Sequence, residues 1–188
     1  GVFLSDNFAR QTKRGGAWMS AYRWQSRADG ETIPIIVNNN NFAKAPPGEQ
    51  TLLAADDVRT LFHEFGHGLH GLLSQVTYER LSGTQVLRDF VELPSQIFEH
   101  WAFEPEVLAR HARHHATGEP IPAELVARMR AAEEYGKGQL VAGQMYFAAL
   151  ALDYFDSEPA ELDTTERMVA LKRRLLPFPH EEGTYFQA

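Results

Sequence analysis

The chain has 188 residues, a length typical of about one domain, and its 44% hydrophobic content is enough for a core. No run of 18 apolar residues occurs, so we expect no membrane-spanning segment. The net charge of −7 argues against a nucleic-acid-binding face, which would be basic. The absence of cysteine excludes disulfides and thiolate metal sites, and it fits a reducing compartment such as the cytoplasm.

Residues 1–48 are predicted to form strands and turns. The strand candidates are 17–24 and 33–37, with a turn at 28–30. Asparagine favours turns, so we expect a loop at the four asparagines of 38–41. A strand beside a metal-binding helix can line a substrate cleft, because an extended peptide pairs with a free sheet edge.

Residues 49–188 are predicted to be mainly helical, so the expected class is α+β, mainly α. The helices are predicted near 55–73, 89–103, 105–116, 122–152 and 164–175. Glycine weakens a helix, so a kink is expected where Gly136, Gly138 and Gly143 interrupt the longest one. His111, His114 and His115 lack an accompanying glutamate motif, and we interpret them as a solvated helix face.

The helix predicted near 55–73 contains an H-E-x-x-H motif formed by His63, Glu64 and His67. Histidines four residues apart lie on one face of a helix, about 6 Å apart along the axis. This spacing suits two corners of a zinc tetrahedron, and it leaves the glutamate free to move a proton. Apolar residues recur at helical spacing on the opposite side, at Val58, Leu61, Phe62, Phe65, Leu69 and Leu72. We therefore predict an apolar face for the core and a separate face for the imidazoles.

A catalytic zinc site needs a third protein ligand. His70 shares the face of His63, but it lies about 10 Å further along the axis, so we interpret it as a cleft-wall or outer-sphere residue. Glu92 would complete the two-histidine, one-glutamate set of several zinc peptidases. Alternatively, Glu92 completes a capping box with Asp89, and the sequence pattern leaves both interpretations open.

Histidines that bind a metal need acceptors for their other ring nitrogens. Asp57, Gln96 and Glu99 are the candidates, and the last two share a helix face with Glu92. Each of them also fits an ordinary helix surface or a local cap. Within the connection between the two ligand helices, 82–84 is either a segment that flexes over the cleft or a structural turn.

Five ordered stretches carry a resemblance to a known family. The chain resembles the zinc metallopeptidases that include thimet oligopeptidase, oligopeptidase A and peptidyl-dipeptidase (dipeptidyl carboxypeptidase). The stretches are KRGGAW (13–18), LFHEFGHGLHGLLS (61–74), LSGT (81–84), RDFVELPSQIFEHW (88–101) and LPFPHEEGTYFQ (176–187). Together they run over nearly the whole chain, and five ordered stretches do not recur by chance.

The resemblance implies roles for particular residues. It implies that His63, His67 and Glu92 bind one Zn²⁺ per chain and that Glu64 is the general base for hydrolysis of peptide bonds in oligopeptides. It also implies a gluzincin-type catalytic region in which a small sheet, within 1–48, borders a helical body that carries the zinc site, within 49–188. Whether dipeptides are released or internal bonds are cut stays open.

We interpret the chain as part of a longer catalytic domain, whose remainder is its expected partner. The start at Gly1, without Met, leaves open an upstream signal, and the chain ends within LPFPHEEGTYFQ. In the resembled family, the His and Tyr segment that steadies the oxyanion follows this stretch. The alternative is therefore a catalytically incomplete module that binds zinc. An aminopeptidase is disfavoured because no acidic anchor for a free amine is evident.

Overall fold

The structure is a computed structural model that describes residues 1–183 of the chain. The end of the last family-like stretch, at 184–187, lies outside the described residues. The chain divides into two compact units, Gly1–Ile121 and a second one that begins at Pro122. The expected α+β class, with helices predominating, is confirmed. No helix within residues 1–183 is both long enough and apolar enough to cross a membrane.

The first unit opens with a three-stranded sheet. Strands β1 (Val2–Phe8), β2 (Trp18–Arg23) and β3 (Ile35–Phe42) lie in the order β1-β3-β2. The central strand β3 pairs in parallel with β1 and antiparallel with β2. Consequently β2 is an edge strand of this sheet, with one side of its backbone available for pairing.

The loop predicted at 38–41 is wrong, because all four asparagines lie within β3. Both neighbouring strands pair with Asn38 and Asn39, and this pairing overrides the turn preference of asparagine. The side chains fasten adjoining segments: the Nδ2 of Asn41 donates to the carbonyls of Arg14 and Gly16 at 2.8 and 2.7 Å. The Nδ2 of Asn40 donates to the Asn7 side chain at 3.0 Å.

Lys13 fixes the loop between β1 and β2. Only 4% of its side chain is exposed, and its ammonium lies 3.2 Å from the carboxylate of Asp6. The ammonium also donates to the carbonyls of Asp6 and Phe8, at 2.7 and 3.2 Å, and to that of Asn40. The loop that leads into β2 is therefore held against the two other strands.

Three helices complete the first unit: α1 (Ala55–Leu72), α2 (Leu93–Ala102) and α3 (Pro105–His111). Helix α2 begins one turn later than predicted, so Asp89 does not cap it. Proline has no N–H and fits the first turn of a helix, and Pro94 accordingly occupies that turn. The third ends at His111 because 112–121 folds back on itself, where Ile121 N–H donates to the Ala112 carbonyl at 2.8 Å.

The buried face of α1 is not the predicted apolar stripe. The buried positions are Glu64, Gly66, His67, Gly68 and Gly71, whereas Phe65 is exposed and the rest of the stripe is half-buried. A Cβ on Gly66 would lie 2.6 Å from the Cα of Ser95 in α2, and one on Gly71 would lie 2.7 Å from Ile36 in β3. The glycines thus let α1 approach α2 and the sheet more closely than an apolar stripe would allow.

The connection between α1 and α2 is a hydrogen-bonded turn and not a free segment. The Gln25 side chain donates to the Val76 carbonyl at 3.0 Å and accepts from the Val76 N–H at 2.8 Å. The Ser74 hydroxyl donates to the His70 carbonyl at 2.8 Å and accepts from the Gly83 N–H at 2.7 Å. Gly83 has a φ of 54°, and a Cβ there would lie 2.8 Å from the Cα of Gly71. The segment 82–84 is therefore a structural turn, which is one of the two predicted alternatives.

The second unit contains α4 (Ala123–Glu134), α5 (Lys137–Phe155) and α6 (Thr164–Leu175). The single helix predicted over 122–152 is divided at Gly136, which has a left-handed φ of 72°. The core of the second unit consists of Tyr146 and Leu150 of α5, packed with Met168 of α6. The predicted range 164–175 is that of α6, whose first turn is capped by the Asp163 side chain.

We predict opposite effects of glycine-to-alanine substitutions in α1 and α5. Gly66→Ala should destabilise the first unit by about 1–3 kcal/mol, because its Cβ meets backbone that cannot turn away. Gly143→Ala, with nothing within 4 Å of its Cβ, should stabilise the second unit by about 0.5–1 kcal/mol. All three tryptophans, Trp18, Trp24 and Trp101, lie in the first unit, so their fluorescence during urea unfolding reports on that unit. Circular dichroism follows both units. A Gly66→Ala substitution that leaves the unfolding free energy unchanged would contradict the packing described above.

Candidate metal centre

Helix α1 presents two imidazoles towards one cleft. His63 and His67 are one turn apart, with ring centroids 5.0 Å apart and planes at 83°. His67 is buried and His63 is half-buried. Glu64 lies beside them on the buried side of the helix. The helical spacing of the motif therefore places three polar side chains where α1 meets the sheet and α2.

Glu92 reaches the same point from the residue that precedes α2. Its Oε2 lies 3.2 Å from the Nε2 of His63 and 3.1 Å from the Nε2 of His67. One ligand atom from each of the three residues lies within 4.8 Å of the others. Zinc bonds of about 2.0–2.2 Å place the ligand atoms of a tetrahedron roughly 3.3–3.6 Å apart, close to these separations.

The hydrogen bonding of His63 leaves its Nε2 able to bind a cation at this point. Its Nδ1 lies 2.7 Å from the Oε1 of Glu99 in α2, a contact in which the ring N–H donates to the carboxylate. When the imidazole is neutral, its single ring proton is used there, so the Nε2 turns a lone pair towards Glu92. Two acceptors only 3.2 Å apart repel each other unless a cation lies between them. The donor set thus fits a metal ion.

The other histidine has a different environment. Burial holds the pKa of His67 below its ordinary value, although the neighbouring Glu92 carboxylate acts in the opposite direction. Its Nδ1 is buried and has no hydrogen-bond partner among residues 1–183. Both features favour the neutral imidazole, which is the form that binds metals.

Glu64 is only 6% exposed, and its Oε2 has no hydrogen-bond partner within the described part of the chain. Burial raises the pKa of its carboxyl group, with a smaller contribution from the Glu92 charge, whereas His63 and a hydrogen bond from the Met19 backbone lower it. Met19 lies on the edge strand β2, so this strand forms part of the environment of the carboxylate.

These groups line one cleft of about 350 Å³. One wall is the beginning of β2 at 17–19, and the floor is formed by the α1 residues of the motif. Thr84, Val91 and Glu92, from the connection between α1 and α2, form the other wall. The edge strand β2 thus forms part of the cleft lining.

Four residues were predicted to lie around the metal ligands, and the structure places only some of them beside the histidines. Glu99 contacts His63, as described above. Asp57 instead accepts from the Ala54 N–H at 3.0 Å and caps the start of α1. Gln96 is exposed, and among the described residues no hydrogen bond joins its side chain to either histidine. His70 packs against Phe90, with ring centroids 6.1 Å apart, and burial lowers its pKa.

Sequence reasoning missed two groups that contact the centre. The Ser95 hydroxyl donates to the Oε2 of Glu92 at 2.7 Å. Its position three residues after Glu92, on the same side of a helix, is a signal that could have identified it. The other is the backbone of Met19, which lines the cleft and lowers the pKa of Glu64. A backbone group has no sequence signature, so only the fold could reveal it.

We predict that Glu64→Gln stabilises the metal-free protein at neutral pH. The folded state raises the pKa of Glu64 above its ordinary 4.5, so a penalty on folding grows as the pH rises above 4.5 and is complete above the folded-state pKa. Below pH 4.5 both forms are protonated and the penalty disappears. The gain in unfolding free energy, about 0.5–2 kcal/mol for single stabilising substitutions, should therefore be present at pH 7 and lost on acidification. Urea titrations with a chelator present measure it, and a gain that is independent of pH would contradict the role of burial.

Several known peptidases align with the chain. It is 53% identical over 137 residues to the dipeptidyl carboxypeptidase of Escherichia coli, an alignment that covers 73% of this chain and 20% of that protein. It is 45% identical over 150 residues to oligopeptidase A of Escherichia coli, covering 78% and 22% respectively. The mitochondrial intermediate peptidase of Arabidopsis thaliana is 35% identical over 190 residues, covering 99% and 27%.

The chain thus spans between 20% and 27% of the length of these relatives. The sequence model of Peptidase family M3 matches residues 1–188, which is the whole chain. This match confirms the resemblance drawn from the five ordered stretches, and the chain belongs to Peptidase family M3.

Proposed function

We propose that this chain carries the zinc centre of a metallopeptidase that hydrolyses peptide bonds in oligopeptides. The observation that carries the proposal is the convergence of His63, His67 and Glu92 on one point, with Glu64 in the same cleft. The names of the family relatives, a dipeptidyl carboxypeptidase and an oligopeptidase, agree with this activity.

The proposed ligands are the Nε2 atoms of His63 and His67 and the carboxylate of Glu92, the set expected of a gluzincin-type site. Zinc held there would lower the pKa of a coordinated water to about 7 and polarise the carbonyl of the scissile bond. Glu99 fixes the ring of His63 so that its Nε2 lone pair points into the cleft. One zinc ion per chain is expected.

Glu64 is the proposed general base. Its carboxyl group lies in the cleft without a partner for one oxygen, so that oxygen is available to accept a proton from the attacking water. Burial raises its pKa, which strengthens it as a base relative to an exposed glutamate. The same carboxyl group can then donate the proton to the amine that leaves.

The proposed substrates are oligopeptides that lie extended along β2. In the three-stranded sheet β2 pairs on one side only, and an extended peptide can add to such an edge whatever its side chains. Release of dipeptides and cleavage of internal bonds both remain possible outcomes for this site. Mass spectrometry of the products of an oligopeptide of known sequence distinguishes them.

The metal ligands and the base can be tested separately. We expect the chain to bind one zinc, measured by elemental analysis after dialysis, and His63→Ala or His67→Ala to abolish binding. His115→Ala, which removes an exposed histidine outside the cleft, is the matched control. Glu64→Gln should keep its zinc and lose turnover of a quenched fluorescent oligopeptide by about 10²–10⁴-fold.

Two results would count against the proposal. Near-normal turnover by Glu64→Gln would rule out its role as the base. A chain that binds zinc but cleaves no peptide would instead support the alternative of a module that binds zinc without catalysis.

Glu99 should contribute to zinc affinity without binding the metal. Glu99→Ala removes the acceptor for the His63 N–H, so we expect the dissociation constant for zinc to rise about 10- to 100-fold. Gln96→Ala, one turn earlier on α2 and away from the histidines, should leave the constant unchanged. Competition with a chromophoric chelator measures both, and equal effects of the two substitutions would exclude a specific role for Glu99.

A further inference from the structure

We propose that Ser95 is a positioning residue that holds the carboxylate of Glu92 in place for metal binding. The inference rests on the proposed function, in which Glu92 is the third zinc ligand. It assigns to Ser95 a role that the sequence analysis did not give it.

The hydrogen bond from Ser95 to Glu92 is short, and it reaches the carboxylate oxygen that faces the two histidines. The Ser95 hydroxyl lies 2.7 Å from the Oε2 of Glu92. That same oxygen lies 3.2 Å and 3.1 Å from the Nε2 atoms of His63 and His67. A hydroxyl that donates to a carboxylate forms a charge-assisted hydrogen bond, which is stronger than one between neutral groups. Ser95 therefore acts on the oxygen that faces the histidines.

Ser95 is itself held rigidly. Its relative exposure is 0%, and its Cα lies where a Cβ on Gly66 would come within 2.6 Å. Gly66 stands between Glu64 and His67, so the residue against which Ser95 packs belongs to the metal-binding motif. The hydroxyl is therefore fixed relative to the two histidines, and it can transmit that position to Glu92.

Glu92 needs such support because little else restrains it. It precedes α2 as the N-cap residue, without a side-chain capping bond, and 49% of its side chain is exposed. An exposed glutamate has many rotamers, and each must be given up when the carboxylate binds a metal. A hydrogen bond that selects one rotamer in advance reduces this loss and raises the affinity.

A purely local role for Ser95 makes a different prediction. The hydroxyl also lies 2.9 Å from the backbone carbonyl of Glu92, as serines in the first turn of a helix often do. If that contact were its whole function, removing the hydroxyl would lower the stability of the fold and leave zinc affinity unchanged. Zinc affinity and stability must therefore be measured separately.

The test compares Ser95→Ala with Ser82→Ala in the full 188-residue chain. Both serines have 0% exposure, but the Ser82 hydroxyl has no hydrogen-bond partner among the described residues. We expect Ser95→Ala to raise the dissociation constant for zinc about 10- to 100-fold and Ser82→Ala to leave it unchanged. With Co²⁺ in place of zinc, the visible absorption bands should shift in Ser95→Ala only, because they report the ligand geometry.

The outcomes separate this inference from the proposed function. If the wild-type chain and Ser95→Ala bind zinc equally and share one Co²⁺ spectrum, Ser95 has no positioning role, whereas the zinc site stands. If the wild-type chain binds no zinc, both proposals are wrong. If the wild-type chain binds zinc without cleaving peptides and Ser95→Ala weakens the binding, the positioning role stands and the peptidase does not.

A second measurement does not depend on the variant folding. In a crystal structure of the wild-type chain with zinc, we expect the Ser95 hydroxyl to remain within about 3.2 Å of the Glu92 carboxylate. A hydroxyl that has turned to another acceptor would overturn the proposal.

Discussion

The close approach of α1 and α2 at Gly66 is the constraint on which the rest of the site depends. With no side chain at Gly66, the backbone at Pro94 and Ser95 lies directly against the helix that carries the histidines. Any larger residue would separate the two helices and withdraw Glu92, which precedes α2, from His63 and His67. The same contact brings Glu99 to His63. A single missing side chain thus determines the positions of two carboxylates around one metal-binding motif.

This close packing has an electrostatic consequence. It places Glu64 and His67 among buried residues, where a charged group loses its hydration. Burial accordingly raises the pKa of Glu64 and lowers that of His67, and each shift favours the neutral form. The metal-free site combines buried polar atoms without partners and acceptors that face each other. A cation between the Nε2 atoms and the Glu92 carboxylate would remove the repulsion between these acceptors, so the proposed metal would relieve part of this electrostatic cost.

The sequence predicted which side chains come together better than it predicted the packing. The H-E-x-x-H spacing placed three polar side chains on one helix, because helical geometry alone fixes their relation. Glu92 was a candidate by pattern, but its choice over a capping role depended on the family resemblance. The helical spacing of its apolar residues predicts a stripe of α1 in the core, whereas the glycines decide the packing. The asparagines of β3 were misassigned because turn preference yields to strand pairing on both sides.

The tether between Gln25 and Val76 has a mechanical consequence. It joins the segment after β2 to the segment after α1, so the edge strand and the helix are linked beyond the cleft as well as across it. If an extended peptide were paired with β2, a force on the peptide would act first on that strand. The two hydrogen bonds between the Gln25 side chain and the Val76 backbone would transmit part of this force to the α1–α2 connection and away from the histidines. In the proposed peptidase, the strand would hold the bound peptide while His63, His67 and Glu92 keep their spacing.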